Sequence, residues 1–289
     1  MEKRPTLRYR IHIALFLTIL CLTLGVFPSP ARCQDLYQIA ILPEYQPIVI
    51  YEKYTPLLKT LQEELGVEFQ LIIPNDFDEY FQIIRDGSVD FSYQNPYVFL
   101  ELWPHLQPLV ITEKGKKWGI EGRGLIVARA NGGINKPDDI VGKRISIVSF
   151  HSANGYMAQK NLLKGMMIYE NTDYNVFETY GNFHQNVVAD VLNEKADAGF
   201  IGEEILRDPG TNSNISTEEF ENLTIIARTS YIPNWIFGAK KGLKRRFVQK
   251  VQNVLLDIPL GSDALKAAGI RSFLEIPSNY LEEYRSKNP

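Results

Sequence analysis

Residues 152 to 155 read Ser-Ala-Asn-Gly, a hydroxyl followed by small residues where a β-rich run gives way to an amphipathic one. The first backbone N–H groups of a helix have no intrahelical acceptor and carry partial positive charge. A hydroxyl beside them can donate to an anionic oxygen, so Ser152 with the amides of Ala153, Asn154 and Gly155 can form an anion cradle. Ser152 can equally serve only as a helix cap. His184 opens another amphipathic segment, where an imidazole N–H can bond an oxyanion or simply be solvated. Glu203 and Glu204 follow a strand-like run, and an acidic pair there suits the positive end of a helix. Tyr93 and Asn95 stand at the C-terminal end of a third strand-like run, where ligands of open α/β sheets are met. Arg123 is either a bidentate anion contact or a solvated loop arginine. Tyr45, Tyr51 and Tyr97 read as rim or core packing.

The same residues give little support to catalysis. Ser149, His151 and Ser152 put hydroxyls near an imidazole, but no Gly-x-Ser-x-Gly elbow surrounds a serine. The four histidines show no His-Glu-x-x-His spacing. The only cysteines, Cys21 and Cys33, fall in the first 33 residues, so neither a disulfide framework nor a thiolate metal site is expected beyond them. No cofactor is expected.

Positioning these groups requires an alternating scaffold. Strand-like runs are predicted at Tyr37–Leu42, 69–73, 89–93, 109–111, 124–128, 144–148, 175–178, 198–201, 223–227 and 235–239. Helical patterns lie between them, the clearest with Thr55 as cap, Pro56 in the first turn, a stripe of Leu57, Leu58, Leu61 and Leu65, and Gly66 as stop. This is an α/β pattern with mainly parallel strands. The Asn/Gly-rich stretch from Ala130 to Pro137 reads as a crossing between lobes, and Pro233 marks a second. The polar run Asp208–Thr217 reads as a surface loop. A strand at Trp235–Ala239 and a helix over 244–257 would then return to the first lobe. The expected division is a leader over 1–33, lobe 1 over 34–128, lobe 2 over 129–233, and a return to lobe 1 over 234–289.

The leader joins Lys3, Arg4, Arg8 and Arg10 to an apolar run from Ile11 to Phe27, then Pro28, Pro30 and Ala31. This is the layout of a cleaved secretory signal. A membrane anchor competes, although seventeen apolar residues are short for one. Arg32 stands where lipidation of Cys33 would need a small residue. Taking away five Lys/Arg and one acidic residue leaves 26 basic against 33 acidic, a net charge of −7. Nucleic acid is therefore not an expected partner.

Most of the chain beyond the leader resembles the phosphate/phosphite/phosphonate-binding components of ABC importers. The likeness runs through YTPLLKTLQEELG (54–66), GSVDFSYQNPYVFLEL (87–102), INKPDDIVGKRISIVSFHSANGY (134–156) and GNFHQNVVADVLNEKADAGFIGEE (181–204). It implies a two-lobed, Venus-flytrap fold of the type II periplasmic binding proteins. It also implies a monomer with a small anionic ligand in the interlobe cleft, and a permease and ATPase as partners. The family's Ser-Thr-Ser-Gly turn is matched by Ser152, with Ala153 and Asn154 replacing the next two hydroxyls. His184 falls where the family's ligand-contacting histidine does, thirteen residues before Asp197. Glu204 matches an acid that meets the ammonium group in aminophosphonate binders. Phe77 stands where a binding Tyr is usual, Gly122 or Arg123 near a second aromatic position, and Trp235 where a second acid would complete an ammonium pocket. The same module can also serve a membrane sensor kinase, or take another small anion.

Mass spectrometry of protein recovered from the periplasm should find a mature chain that begins near Gln34 and lacks cysteine; an intact Met1 or a lipid on Cys33 would show the leader misread.

Overall fold

The structure is a computed structural model that describes residues 35–115, 119–206 and 215–287. The leader over 1–33 and most of the 208–217 loop lie outside the described residues. The chain from Leu36 onward forms one compact unit built on two sheets. It first lays down β1 (Leu36–Ile41), β2 (Glu68–Ile72), β3 (Phe91–Gln94) and β4 (Leu106–Glu113). It then passes through β5 (Glu121–Gly122) into β6 (Gly124–Arg129), β7 (Arg144–Ile147), β8 (Asn175–Glu178), β9 (Ala198–Gly202) and β10 (Leu223–Arg228). It returns through β11 (Ile232–Pro233) to β12 (Ile236–Lys240) and β13 (Ser272–Leu274).

The first sheet has the order β13-β4-β12-β3-β1-β2 and the second β10-β6-β9-β7-β8. Both are covered on two faces, which is why their strands read as near-continuous apolar runs. In β1, Ile39 and Ile41 enter one core while Ala40 and Leu42 enter another. In β6, Ile126 and Ala128 divide in the same way from Leu125 and Val127. Two-residue periodicity thus serves two half-cores per lobe.

The topology brings one end of each sheet to the hinge. Because β12 pairs antiparallel with both β3 and β4, strands β1 to β4 all run in one direction. In the second sheet β7 pairs parallel with β8 and β9, and β6 runs against β9. A strand that enters a sheet directly from the hinge begins where the others end, so β6 and β12 must run opposite to their neighbours.

Two expectations need correction. β6, assigned to the first lobe on sequence, pairs with β9 and β10 of the second sheet. The first passage therefore lies at β5, ahead of Gly124, and not at 130–137. That stretch is a turn within the second lobe, with Asn131 and Gly133 at φ of 62° and 83°. Asn and Gly mark any turn that needs left-handed backbone, whichever lobe it serves. The first helix, α1, spans Pro47–Leu65 and starts well before Thr55. Pro47 occupies its first turn, and the Thr55 hydroxyl donates to the Tyr51 carbonyl inside the helix, 2.6 Å away. An interior proline costs about 3 kcal/mol. The buried stripe Ile50, Tyr54, Leu57, Leu58 and Leu61 continues past Pro56 and offsets it.

The second lobe is held against its site-bearing turn by one buried side chain. The Gln159 amide, with no exposed surface, donates to the carbonyls of Leu125 on β6, Ile201 on β9 and Asn154 in the turn. Replacing it with Leu removes a donor from three buried carbonyls. Gln159→Leu should cost roughly 2–4 kcal/mol in urea unfolding, and a loss below about 0.5 kcal/mol would show the amide is not the fastener.

Candidate functional site

The chemistry collects where strand ends of the two sheets meet. Glu44 follows β1, Asn95 follows β3 and Lys114 follows β4, all on one edge of the first sheet. Ser152 to Gly155 follow β7, and Glu203 and Glu204 follow β9, on one edge of the second. Strand ends of open α/β sheets carry ligands because backbone direction aims loops there.

Ser152 is buried and precedes a single π-helical turn, Ala153–Met157, that runs into α4 (Ala158–Gly165), the fourth α-helix in chain order. Its hydroxyl makes no capping bond, and its carbonyl accepts from the Met157 N–H, 3.0 Å away. The turn lies tight against its strand, since a Cβ on Gly155 would collide with Val148 and the Ser152 hydroxyl. The Asn154 amide leaves the turn and donates to both oxygens of Glu204, at 2.8 and 3.0 Å.

Glu204 is the convergence point. Lys114 of the first lobe reaches its Oε1 at 3.1 Å, an ion pair across the two lobes. Burial alone would raise this carboxyl, but the Lys114 ammonium foremost, with the Asn154 amide, holds it at about 2. The carboxylate packs against Gly202, whose Cα has room for no side chain there. The Gly202 N–H donates to Nδ1 of His184 at 2.9 Å, so in the neutral ring the proton resides on Nε2. Burial pushes His184 down to about 4, with Lys114 adding to the effect and Glu204 opposing it. At neutral pH the ring is thus an uncharged donor. It begins the helix His184–Leu192.

A second carboxylate sits close by. Glu44 is 8 % exposed, and burial pushes its carboxyl up to about 7, against the pull of the Asn95 amide and Lys114. Asn95 is fully buried: its oxygen caps the helix Pro96–Glu101 through the Val98 N–H, and its amide donates to Glu44 and to the His151 carbonyl of the other lobe. Further contacts cross the lobes beside it. Asn182 donates to the Glu44 carbonyl, Tyr45 stacks on Phe183, and Phe77 stacks on His151 with 3.4 Å between ring centres.

The structure brings Asn154, Glu204 and His184 around one point and gives other candidates different work. Tyr93 is 2 % exposed, with its hydroxyl paired to Thr112 and its ring packed in the first core. Trp235 packs 5.0 Å from it as the wall behind. Arg123 is committed to Glu203 through two bonds of 2.7 and 2.8 Å, so its fork faces a carboxylate and not the cleft. A loop arginine and a preceding-strand glutamate pair whenever the strands place them together, and spacing alone does not reveal it. Asp197 accepts from the Arg144 N–H at the far end of the sheet. Among the described residues no group of His, Cys, Asp and Glu could hold a metal ion. Sequence reasoning missed Lys114 and Glu44; Lys114 directly follows β4 and Glu44 comes shortly after β1, close to the strand ends that singled out Asn95.

Two lobes joined by two passages, with donors converging between them, define a solute-binding protein of the Venus-flytrap class. The chain belongs to the family described as ABC transporter, phosphonate, periplasmic substrate-binding protein, whose pattern matches residues 39–280. Its fold is similar to that of XAC2383 from Xanthomonas citri bound to chloride (TM-score 0.74, 19% identity, 87% of this chain and 96% of that one). It is also similar to PhnD1 from Prochlorococcus marinus in complex with methylphosphonate (TM-score 0.70, 15% identity, 87% and 96%). In sequence it is 24% identical over 219 residues to the tetrathionate sensor histidine kinase TtrS of Salmonella typhimurium, covering 71% of this chain. The chain spans 37% of that kinase's length.

Burial of Glu44 has a signed consequence for stability. Its folded carboxyl lies near 7 against an ordinary 4.5, so between those values the folded protein holds a proton that the unfolded chain releases. Stability from this group is present below pH 4.5 and lost as pH rises through 7. Glu44→Gln keeps an acceptor for Asn95 without the charge. The variant should gain on order of 3 kcal/mol over the parent between pH 4.5 and pH 8, read as a melting-temperature difference that widens with pH; a constant difference would contradict the burial.

Proposed function

We propose that this chain is the periplasmic receptor of an ABC importer, and that it holds a small oxyanion of the phosphonate, phosphate or phosphite class between its lobes. The observation that carries this reading is the convergence of Lys114 Nζ and Asn154 Nδ2 on one carboxylate, beside a helix start and the neutral imidazole of His184. A carboxylate and a phosphonate ask for the same donors. The ligand's oxygens would bond the Ser152 hydroxyl, the free amides of the 153–155 turn and Nε2 of His184. Such groups bind anions by local geometry, which a chain of net negative charge requires.

Lys114 refines the ligand class. The family resemblance gives the place beside Glu204 to a ligand's ammonium, and here Lys114 already fills it. An anion without an amino group therefore fits better than an aminophosphonate. Lys114 of the first lobe, paired to Glu204 beside the second-lobe donors, favours the closed arrangement, and that form is the one a permease and its ATPase would receive. The likeness to a sensor kinase supports a second reading, in which the closed form is presented to a membrane kinase instead.

Calorimetry with methylphosphonate, phosphate, phosphite and 2-aminoethylphosphonate tests the assignment. One of the first three should bind most tightly, and Lys114→Met should shift preference toward the aminophosphonate. His184→Ala and Ser152→Ala should each weaken the best ligand about ten- to a hundredfold, the loss of one hydrogen bond to a charged group. If both variants bind it as tightly as the parent, the oxyanion lies elsewhere.

A further inference from the structure

A cavity of about 470 Å³ lies outside the site described above, within the size range of small-molecule pockets. It sits at the hinge. Its walls come from α4 of the second lobe, the segment from Thr229 into β11, and the C-terminal helix Tyr280–Lys287, with Tyr97 from the first lobe. Four tyrosines line it, Tyr97, Tyr231, Tyr280 and Tyr284, together with the carboxylates of Glu121 and Glu283. No Lys or Arg is among the described residues that line it.

This lining has one chemical sense. Aromatic faces carry negative potential and bind cations, most strongly where several rings surround the charge. Tyr231 does so already: the Arg123 guanidinium packs 4.9 Å from its ring centre. That arginine is neutralised by its bidentate bond to Glu203, so its charge does not oppose a cation in the cavity. Glu121 is fixed in place by the Tyr280 hydroxyl, which donates to its Oε1 at 2.9 Å and so sets carboxylate and ring side by side. The cavity also touches the back of the anion turn, because Ala153, Ala158 and Ile232 form a small apolar cluster on which Tyr97 and Tyr284 pack.

We propose that the hinge cavity is a second binding site, separate from the interlobe cleft, and that it takes a small organic cation of the ammonium class. Choline, and its uncharged isostere 3,3-dimethyl-1-butanol, are the probes, titrated into the full chain by calorimetry. Choline should bind saturably in roughly the micromolar to low-millimolar range, with the isostere at least about tenfold weaker. Tyr231→Ala and Glu283→Gln alter exposed side chains, so the fold should hold, and each should weaken choline about three- to thirtyfold. Equal binding of the isostere, choline binding that neither cavity variant weakens, or no saturable binding by about 10 mM would overturn the proposal.

Discussion

The ion pair between Lys114 and Glu204 is the contact on which the arrangement of the site depends. Each partner follows a strand of a different sheet, and the 3.1 Å bond holds those strand ends face to face. Glu204 is only partly withdrawn from water, with 27% of its side chain exposed, and a carboxylate so placed is favoured where charge and hydrogen bonds compensate it. Lys114 and Asn154 do that here, and Asn154 in turn is tied to the anion turn. The bare Gly202 lets the carboxylate lie against the backbone, and the same residue's N–H sets the tautomer of His184. One pairing thereby fixes the positions of the turn, the imidazole and the end of β4.

Much of the fold was legible because hydrophobic periodicity and caps are local. The strands at 175–178 and 198–202 and the helix opening at His184 follow from apolar spacing alone. Legibility failed where a local signal has several global meanings. Pro56 reads as a helix start, yet burial of a stripe on both sides of it carries the helix through. The Asn/Gly cluster after Ala130 reads as a boundary, yet the pairing of β6 with β9 is a long-range fact that turn composition does not encode.

The site divides along the same line. The Ser152–Gly155 turn can be proposed from a helix start next to a hydroxyl, whereas His184 and Glu204 are singled out chiefly by the family resemblance. Lys114 and Glu44 carry only the strand-end signal that singled out Asn95, with no motif of their own. Their meaning arises only when β1 and β4 end at one edge and the second lobe comes to meet it. Arg123 shows the converse: its residue type is right for an anion, and its long-range neighbour Glu203 takes the fork. Tyr93 and Asn95 lie at the expected edge, but one supports Trp235 and the other joins Glu44 to the opposite lobe.

The two passages between lobes do not hang separately. β5 and β11 pair over two positions, Gly122 with Ile232 and Glu121 with Pro233. Mechanically this is a short torsion bar: paired strands resist sliding past one another but yield to twist. One lobe can then swing against the other about a single axis while each sheet keeps its interior register. A hinge motion about this ladder would be a rotation and not a slide, resisted by the bonds that bridge the lobes.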